Sequence, residues 1–127
     1  MVVGICRVVL ALPWNDSLKG KRSVVKSVVE RARAKYHVAA AEVADLDQHR
    51  RATLGFAVVS NDARHARSLL DKLVGFVAGA SEAQLIDHAT SIEHFELGAG
   101  QPFALASEDD EEDAWEDDEE DGDEEEV

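Results

Sequence analysis

Cysteine is nearly absent. Cys6 stands alone in 127 residues, which excludes a disulfide-stapled secreted module. No run approaches the roughly 18 apolar residues of a membrane-spanning helix. The start, Met1 to Arg7, has no basic n-region and puts Arg7 where an apolar h-region would run, so no signal peptide is expected. The localisation these absences imply is cytoplasmic, with no membrane partner. Basic residues are missing after position 100. All 13 Lys and Arg lie in residues 1–100 beside 11 acidic side chains, a net charge of +2, whereas residues 101–127 carry 16 acidic side chains and no basic one. The formal charge of −14 therefore describes a nearly neutral domain joined to a polyanionic tail. About 100 residues build one domain around one core, and a large multidomain enzyme is excluded. The chain also lacks a G-x-S-x-G elbow, a P-loop and a dinucleotide fingerprint. No catalytic residue and no cofactor are assigned.

What is present reads as six elements. Val2 to Leu12 is β-branched and aliphatic up to Pro13 and reads as a strand. It is apolar at both parities, which predicts a central strand whose second face is also partly covered. Asn15-Asp16-Ser17 offers caps for a helix from Leu18 to Tyr36, where Leu18, Val25, Val28, Val29, Ala32 and Tyr36 form one apolar stripe. His37 to Ala44 reads as a short strand, and Ala52 to Ser60 as another. Ser60-Asn61-Asp62 opens a second helix carrying Ala66, Leu69, Leu70, Leu73 and Val77, with Gly79 as its terminator. Gln84 to Leu97 reads as a last strand whose alternation shifts between Leu85/Ile86 and Ile92/Phe95, the mark of a bulge or of a misplaced boundary. The order β-α-β-β-α-β, with two right-handed crossovers, predicts an α+β ferredoxin-like sandwich: a four-stranded antiparallel sheet with two helices on one face. The expected domain is residues 1–100. Residues 101–127, with 16 acidic residues among the 19 from Glu108 to Glu126, are expected to form a disordered acidic tail.

The blocks Ser17-Leu18-Lys19-Gly20-Lys21-Arg22, Val25-Lys26, Val38, Ala41-Glu42-Val43 and Leu54-Gly55-Phe56-Ala57-Val58-Val59-Ser60-Asn61-Asp62, with Leu70-Asp71-Lys72-Leu73 in the second helix, resemble the YlxP-like family. These are small bacterial proteins of unknown function. The resemblance covers about residues 1–97. It implies a ferredoxin-like fold, a tendency to self-associate and no established activity. Genes of that family often lie near those of transcription and translation factors, ribosome-binding factor A among them, which points to an RNA or ribosome context. The acidic tail departs from the family pattern.

Two surfaces are candidates for function. Lys19, Arg22, Lys26 and Arg33 fall within about 60° of one another on a stripe flanking the apolar face of the first helix. Lys21 sits near the core edge, where its stem can snorkel, and Arg50 and Arg51 lie in a loop. These seven are assigned as candidate phosphate contacts to ribosomal or other structured RNA, against the plainer reading of a solvated helix face. Gly55-Phe56-Ala57-Val58-Val59 only partly matches an RNA-recognition core, because Val58 stands where a second stacking aromatic belongs. The other surface is an open sheet face bearing Ile5, Val9 and Phe56, which would support a homo-oligomeric adaptor with no nucleic-acid role. The alternating Asp45, Asp47 and His49, with His88 and His94 elsewhere, match no zinc spacing, and no metal is assigned. The tail is expected to fold over the basic helix, to bind a basic partner, or to act as a solubilising appendage.

Overall fold

The computed structural model describes residues 1–96, and the expected acidic tail at 101–127 lies outside them. Six elements follow one another: β1 (Val2–Ala11), α1 (Leu18–Tyr36), β2 (Ala39–Ala44), β3 (Arg51–Ser60), α2 (Ala63–Gly79) and β4 (Gln84–His94). The sheet order is β2-β3-β1-β4 with every neighbouring pair antiparallel. This is the ferredoxin-like β-α-β-β-α-β sandwich that the sequence pattern predicts.

The even-numbered residues of β1 face the helices. Cys6, Val8 and Leu10 are buried there with Leu54 and Phe56 of β3, Val25, Val28, Val29 and Ala32 of α1, and Leu70, Leu73 and Val77 of α2. At about 25 cal/mol per Å2 of apolar surface removed from water, this single core is the main source of stability. Burial on the second face is partial. Val9, between Thr53 and Asp87 on the neighbouring strands, is buried, while Ile5 remains exposed.

Both helices start on side-chain caps. Ser17 Oγ accepts from Gly20 N–H at 3.0 Å, and Asp62 Oδ1 accepts from Arg64 N–H at 3.0 Å, each satisfying a donor that the helix leaves free. His37 closes α1 in the left-handed conformation, φ 56°, and its N–H donates to the Arg33 carbonyl at 2.9 Å. The second strand therefore begins two residues later than the pattern suggests. The expected irregularity in β4 is a one-residue bulge: Val9 pairs with Asp87 and Leu10 with Leu85, leaving Ile86 unpaired. A second bulge leaves Val43 of β2 unpaired between Glu42 and Ala44.

Two glycines mark close approaches. A Cβ on Gly4 would stand 2.8 Å from Leu70 Cδ1 and 3.4 Å from Ile92 Cδ1, so the bare backbone lets α2 settle against β1. A Cβ on Gly20 would collide with Asn15 Oδ1. Asn15 cannot swing away, because its buried side-chain amide donates to Ser17 O at 2.7 Å and to His49 O, while its backbone carbonyl accepts from Arg50 Nε at 3.0 Å. Gly75, inside α2, meets nothing within 4 Å. Two Gly→Ala changes inside helices should therefore act in opposite directions: Gly75→Ala raises stability by about 1 kcal/mol through helix propensity, and Gly20→Ala lowers it by about 1–3 kcal/mol through overpacking. Urea unfolding midpoints of the two variants check the sign of each.

Candidate nucleic-acid interface

Lys21 is 1% exposed, the most deeply buried charge among the described residues. Its place follows from register. Glu42 pairs with Leu54, a core residue, so its carboxylate is directed to the helical side of the sheet, and the first turn of α1 carries Lys21 to meet it. Lys21 Nζ lies 2.8 Å from Glu42 Oε2. Its three protons go to carbonyls, those of Asp45 at 2.8 Å, Leu46 at 3.3 Å and Arg51 at 3.3 Å. An ammonium has three donors, so the carboxylate is held by charge while the carbonyls take the hydrogen bonds. The network ties α1 to both ends of the β2–β3 connection. Lys21 is therefore a structural brace. As a candidate phosphate contact it is corrected: an ammonium saturated by four oxygens and closed off from water has no donor left for a ligand.

The remaining basic candidates divide in two. Lys19, Arg22 and Lys26 are exposed on α1, and none makes a hydrogen bond or ion pair among the described residues. Arg33, the fourth member of the stripe, donates Nη2 to the Ala40 carbonyl at 2.6 Å, which anchors the end of α1 to β2. Arg50 braces Asn15. Arg51 Nε lies 3.2 Å from Asp45 Oδ2, the oxygen that also accepts from Thr53 Oγ1 at 2.6 Å. Asp45 is thereby engaged on the sheet, away from any ligand set with Asp47 and His49. No group of three His, Cys, Asp or Glu able to hold a metal occurs among the described residues.

Sequence spacing missed the rest of the basic layer. Arg31 lies over the Phe76 ring at 5.4 Å and donates to the Ala80 carbonyl at 2.6 Å. Lys35 lies 5.6 Å from the Tyr36 ring and 5.2 Å from that of Phe76, and the two rings meet edge to face at 5.7 Å. These cations sit on aromatic faces between the helices, a contact between α1 and α2 that no local pattern announces. Arg64 and Arg67 on α2 had a local signal, the i, i+3 spacing. In all, α1 carries seven basic and one acidic side chain and α2 three and one. The strands and loops of the described residues hold three basic and nine acidic. Positive charge is concentrated on the helical layer and negative charge on the rest of the fold.

The sheet face away from the helices has a different character. Ile5 (45% exposed), Val43 (57%) and Val59 (68%) stand up from it. Beside Ile5 lies a hollow of about 320 Å3 whose lining also includes Ala39, Ala41, Gly55, Phe56 and Ala57. Of the three residues assigned to this interface, Ile5 is on it. Val9 is on this face but buried in the single chain, and Phe56 points the other way, into the core, because its register partner Cys6 faces the helices. Cys6 itself is buried. Desolvation pushes its thiol up from the ordinary value of 9.0, and Asp71 adds to this, against the opposing effects of a Thr90 hydrogen bond and Arg7. It is therefore a poor nucleophile.

The chain is thus an α+β protein of the ferredoxin-like class, with a basic helical layer on one side and an open sheet on the other. It belongs to the DUF503 family of proteins of unknown function, whose model matches residues 3–90. No curated protein matches it. Among solved structures it is similar to a de novo designed protein with ferredoxin fold, determined by solution NMR, at 13% identity over 83% of this chain and 95% of that one, with a TM-score of 0.47. No helix among the described residues is long and apolar enough to cross a membrane.

The two kinds of lysine on α1 should separate in a stability assay. Lys21→Met leaves the Glu42 carboxylate and three carbonyls without their cation and costs about 3–5 kcal/mol, whereas Lys19→Ala leaves the denaturation midpoint unchanged. Equal midpoints for the two variants would contradict the assignment of Lys21 as a brace.

Proposed function

We propose that this protein is a non-catalytic, YlxP-like binding module that holds the phosphate backbone of structured RNA, such as ribosomal RNA or an assembly intermediate, through α1. The observation that carries this reading is that Lys19, Arg22 and Lys26 are exposed on the most basic element of the fold and have no partner among the described residues, while Lys21, Arg31 and Arg33 are engaged with other parts of the fold. Three cations spaced along one helix face over about 10 Å, at 1.5 Å rise per residue, meet neighbouring phosphates without reading bases. Affinity of this kind is set by counterion release, so it falls steeply with salt. The slope of log affinity against log salt should be about −3 for three contacts, and should shrink by about 2 in the double variant Arg22→Ala/Lys26→Ala. Fluorescence anisotropy with a ribosomal RNA fragment, run with the full chain and with residues 1–100, measures both. Absence of binding by either form at low salt would dispose of this reading.

A second reading has its own observation, the exposed Ile5, Val43 and Val59 on a sheet face whose hollow beside Ile5 is lined largely by alanine and glycine. Apolar projections beside a small-residue hollow fit a second copy of the same face, and the exposed pairs Arg7–Asp87 at 3.2 Å and Arg51–Asp45 at 3.2 Å give its rim both signs of charge. In this reading the protein is a homo-oligomeric adaptor with its sheet as the working surface. Sedimentation equilibrium should then give a dimer or larger assembly, and Val59→Lys should return it to the monomer with an unchanged circular dichroism spectrum. A monomeric parent protein would exclude the adaptor.

A further inference from the structure

One hollow belongs neither to the α1 stripe nor to the open sheet. It lies where the end of β4 passes the first turns of α2, has a volume of about 380 Å3, and is lined by Ala63, Arg64, Arg67, Ile92 and His94. The register explains who meets there. His94 pairs with Val2 and Ile92 with Gly4, two residues whose positions face the helices, so both side chains stand on the helical side of the sheet. Arg64 and Arg67 are three residues apart on α2 and share one face of it. Neither guanidinium, nor the His94 imidazole, has a hydrogen-bond or ion-pair partner among the described residues.

No carboxylate lines the hollow, and none of the acidic groups near it in sequence, Glu96 included, makes an ion pair with these residues. Asp62 Oδ1 accepts the Arg64 backbone N–H at 3.0 Å. Glu93 pairs with Val3 on the opposite face of the sheet and accepts from Ser91 Oγ at 2.6 Å. Asp71, one turn beyond Arg67, makes no ion pair with it. Two planar guanidinium forks and an imidazole thus line one space with Ile92 and Ala63, and no carboxylate among the described residues pairs with them. Arginine forks match the paired oxygens of a phosphate, and three donor groups suit the three terminal oxygens of a monoester better than the two of a carboxylate. The volume falls within the range of small-ligand sites, about 300–1,000 Å3.

We infer that Arg64, Arg67 and His94 form a phosphate-monoester site, with Ile92 supporting the body that carries the phosphate. By helix geometry it sits at the far end of the helical layer from Lys19 and Arg22, because Tyr36 at the end of α1 reaches the Lys72 carbonyl of α2 and Arg31 reaches Ala80, which sets the helices antiparallel. The inference therefore stands or falls independently of the α1 reading.

The test is an NMR titration of the full chain at constant ionic strength, following the Arg Nε–Hε and His side-chain signals. The probes are inorganic phosphate, adenosine 5′-monophosphate and adenosine, with a 5′-phosphorylated and a 5′-hydroxyl oligonucleotide as a second pair. The expected result is saturable shifts at Arg64, Arg67 and His94 with phosphate and the monophosphate, and none with adenosine. Arg67→Gln should weaken binding at least tenfold, while Arg22→Ala should leave it unchanged. Preference for the mononucleotide identifies a small phosphorylated metabolite as the source of the monoester, and preference for the phosphorylated oligonucleotide identifies a nucleic-acid end. Shifts that grow linearly, that chloride reproduces, or that persist in Arg67→Gln would overturn the site.

Discussion

A buried ammonium fixes the geometry on which the rest of this fold depends. Removing the charge of Lys21 from water is costly, and the protein offsets that cost only because one carboxylate and three carbonyls surround it. Those partners come from β2, from the β2–β3 connection and from the first residue of β3. Satisfying one side chain therefore sets the position of the start of α1 over the sheet edge. The neighbouring Asn15 works in the same place through hydrogen bonds to Ser17 and His49, and Gly20 is small because that amide leaves no room beside it. Together these residues form a polar clamp at one end of an otherwise apolar sandwich.

The clamp has a consequence for function. It buries Lys21 and ties Arg50 and Arg51, which stay exposed, to Asn15 and Asp45, leaving Lys19, Arg22 and Lys26 as the members of the α1 stripe without a partner among the described residues. The wider layer keeps its positive bias because Arg31 and Lys35 lie on aromatic rings between the helices and Arg64 and Arg67 on α2 have no partner among the described residues. The acidic residues of the fold lie mostly on strands and loops. Under the proposed function, this separation would turn the helices toward a polyanion. The opposite face is partly apolar, with Ile5, Val43 and Val59 exposed.

The architecture was legible because its signals are local. The strand of double apolar parity is central, the cap clusters open both helices at Ser17 and Asp62, and the shift in alternation between Leu85/Ile86 and Ile92/Phe95 corresponds to a bulge at Ile86. The site was legible only in part, for a physical reason. Helical spacing reports which direction a side chain leaves the helix, but not what it meets. In sequence Lys21 stands out only by its place near the core edge and Arg33 not at all, and both differ from the stripe because the edge strand β2 lies within reach of each. Phe56 could be assigned to either face of β3 until register set it against Cys6 in the core. The aromatic-cation cluster around Phe76 and the meeting of Arg64 and Arg67 with His94 are long-range events, invisible to any window of the chain.

The central claim is that chemically identical lysines on one helix have different work, with Lys21 holding the fold together and Lys19 and Lys26 facing a ligand. Lysine footprinting with an amine-acylating reagent, read by mass spectrometry with and without ribosomal RNA, addresses it directly. The account predicts rapid modification of Lys19 and Lys26 in the free protein, protection of both by RNA, and an unreactive Lys21 in both states until the chain is unfolded. Ready acylation of Lys21 in the native protein, or RNA protection that leaves Lys19 and Lys26 exposed, would contradict it.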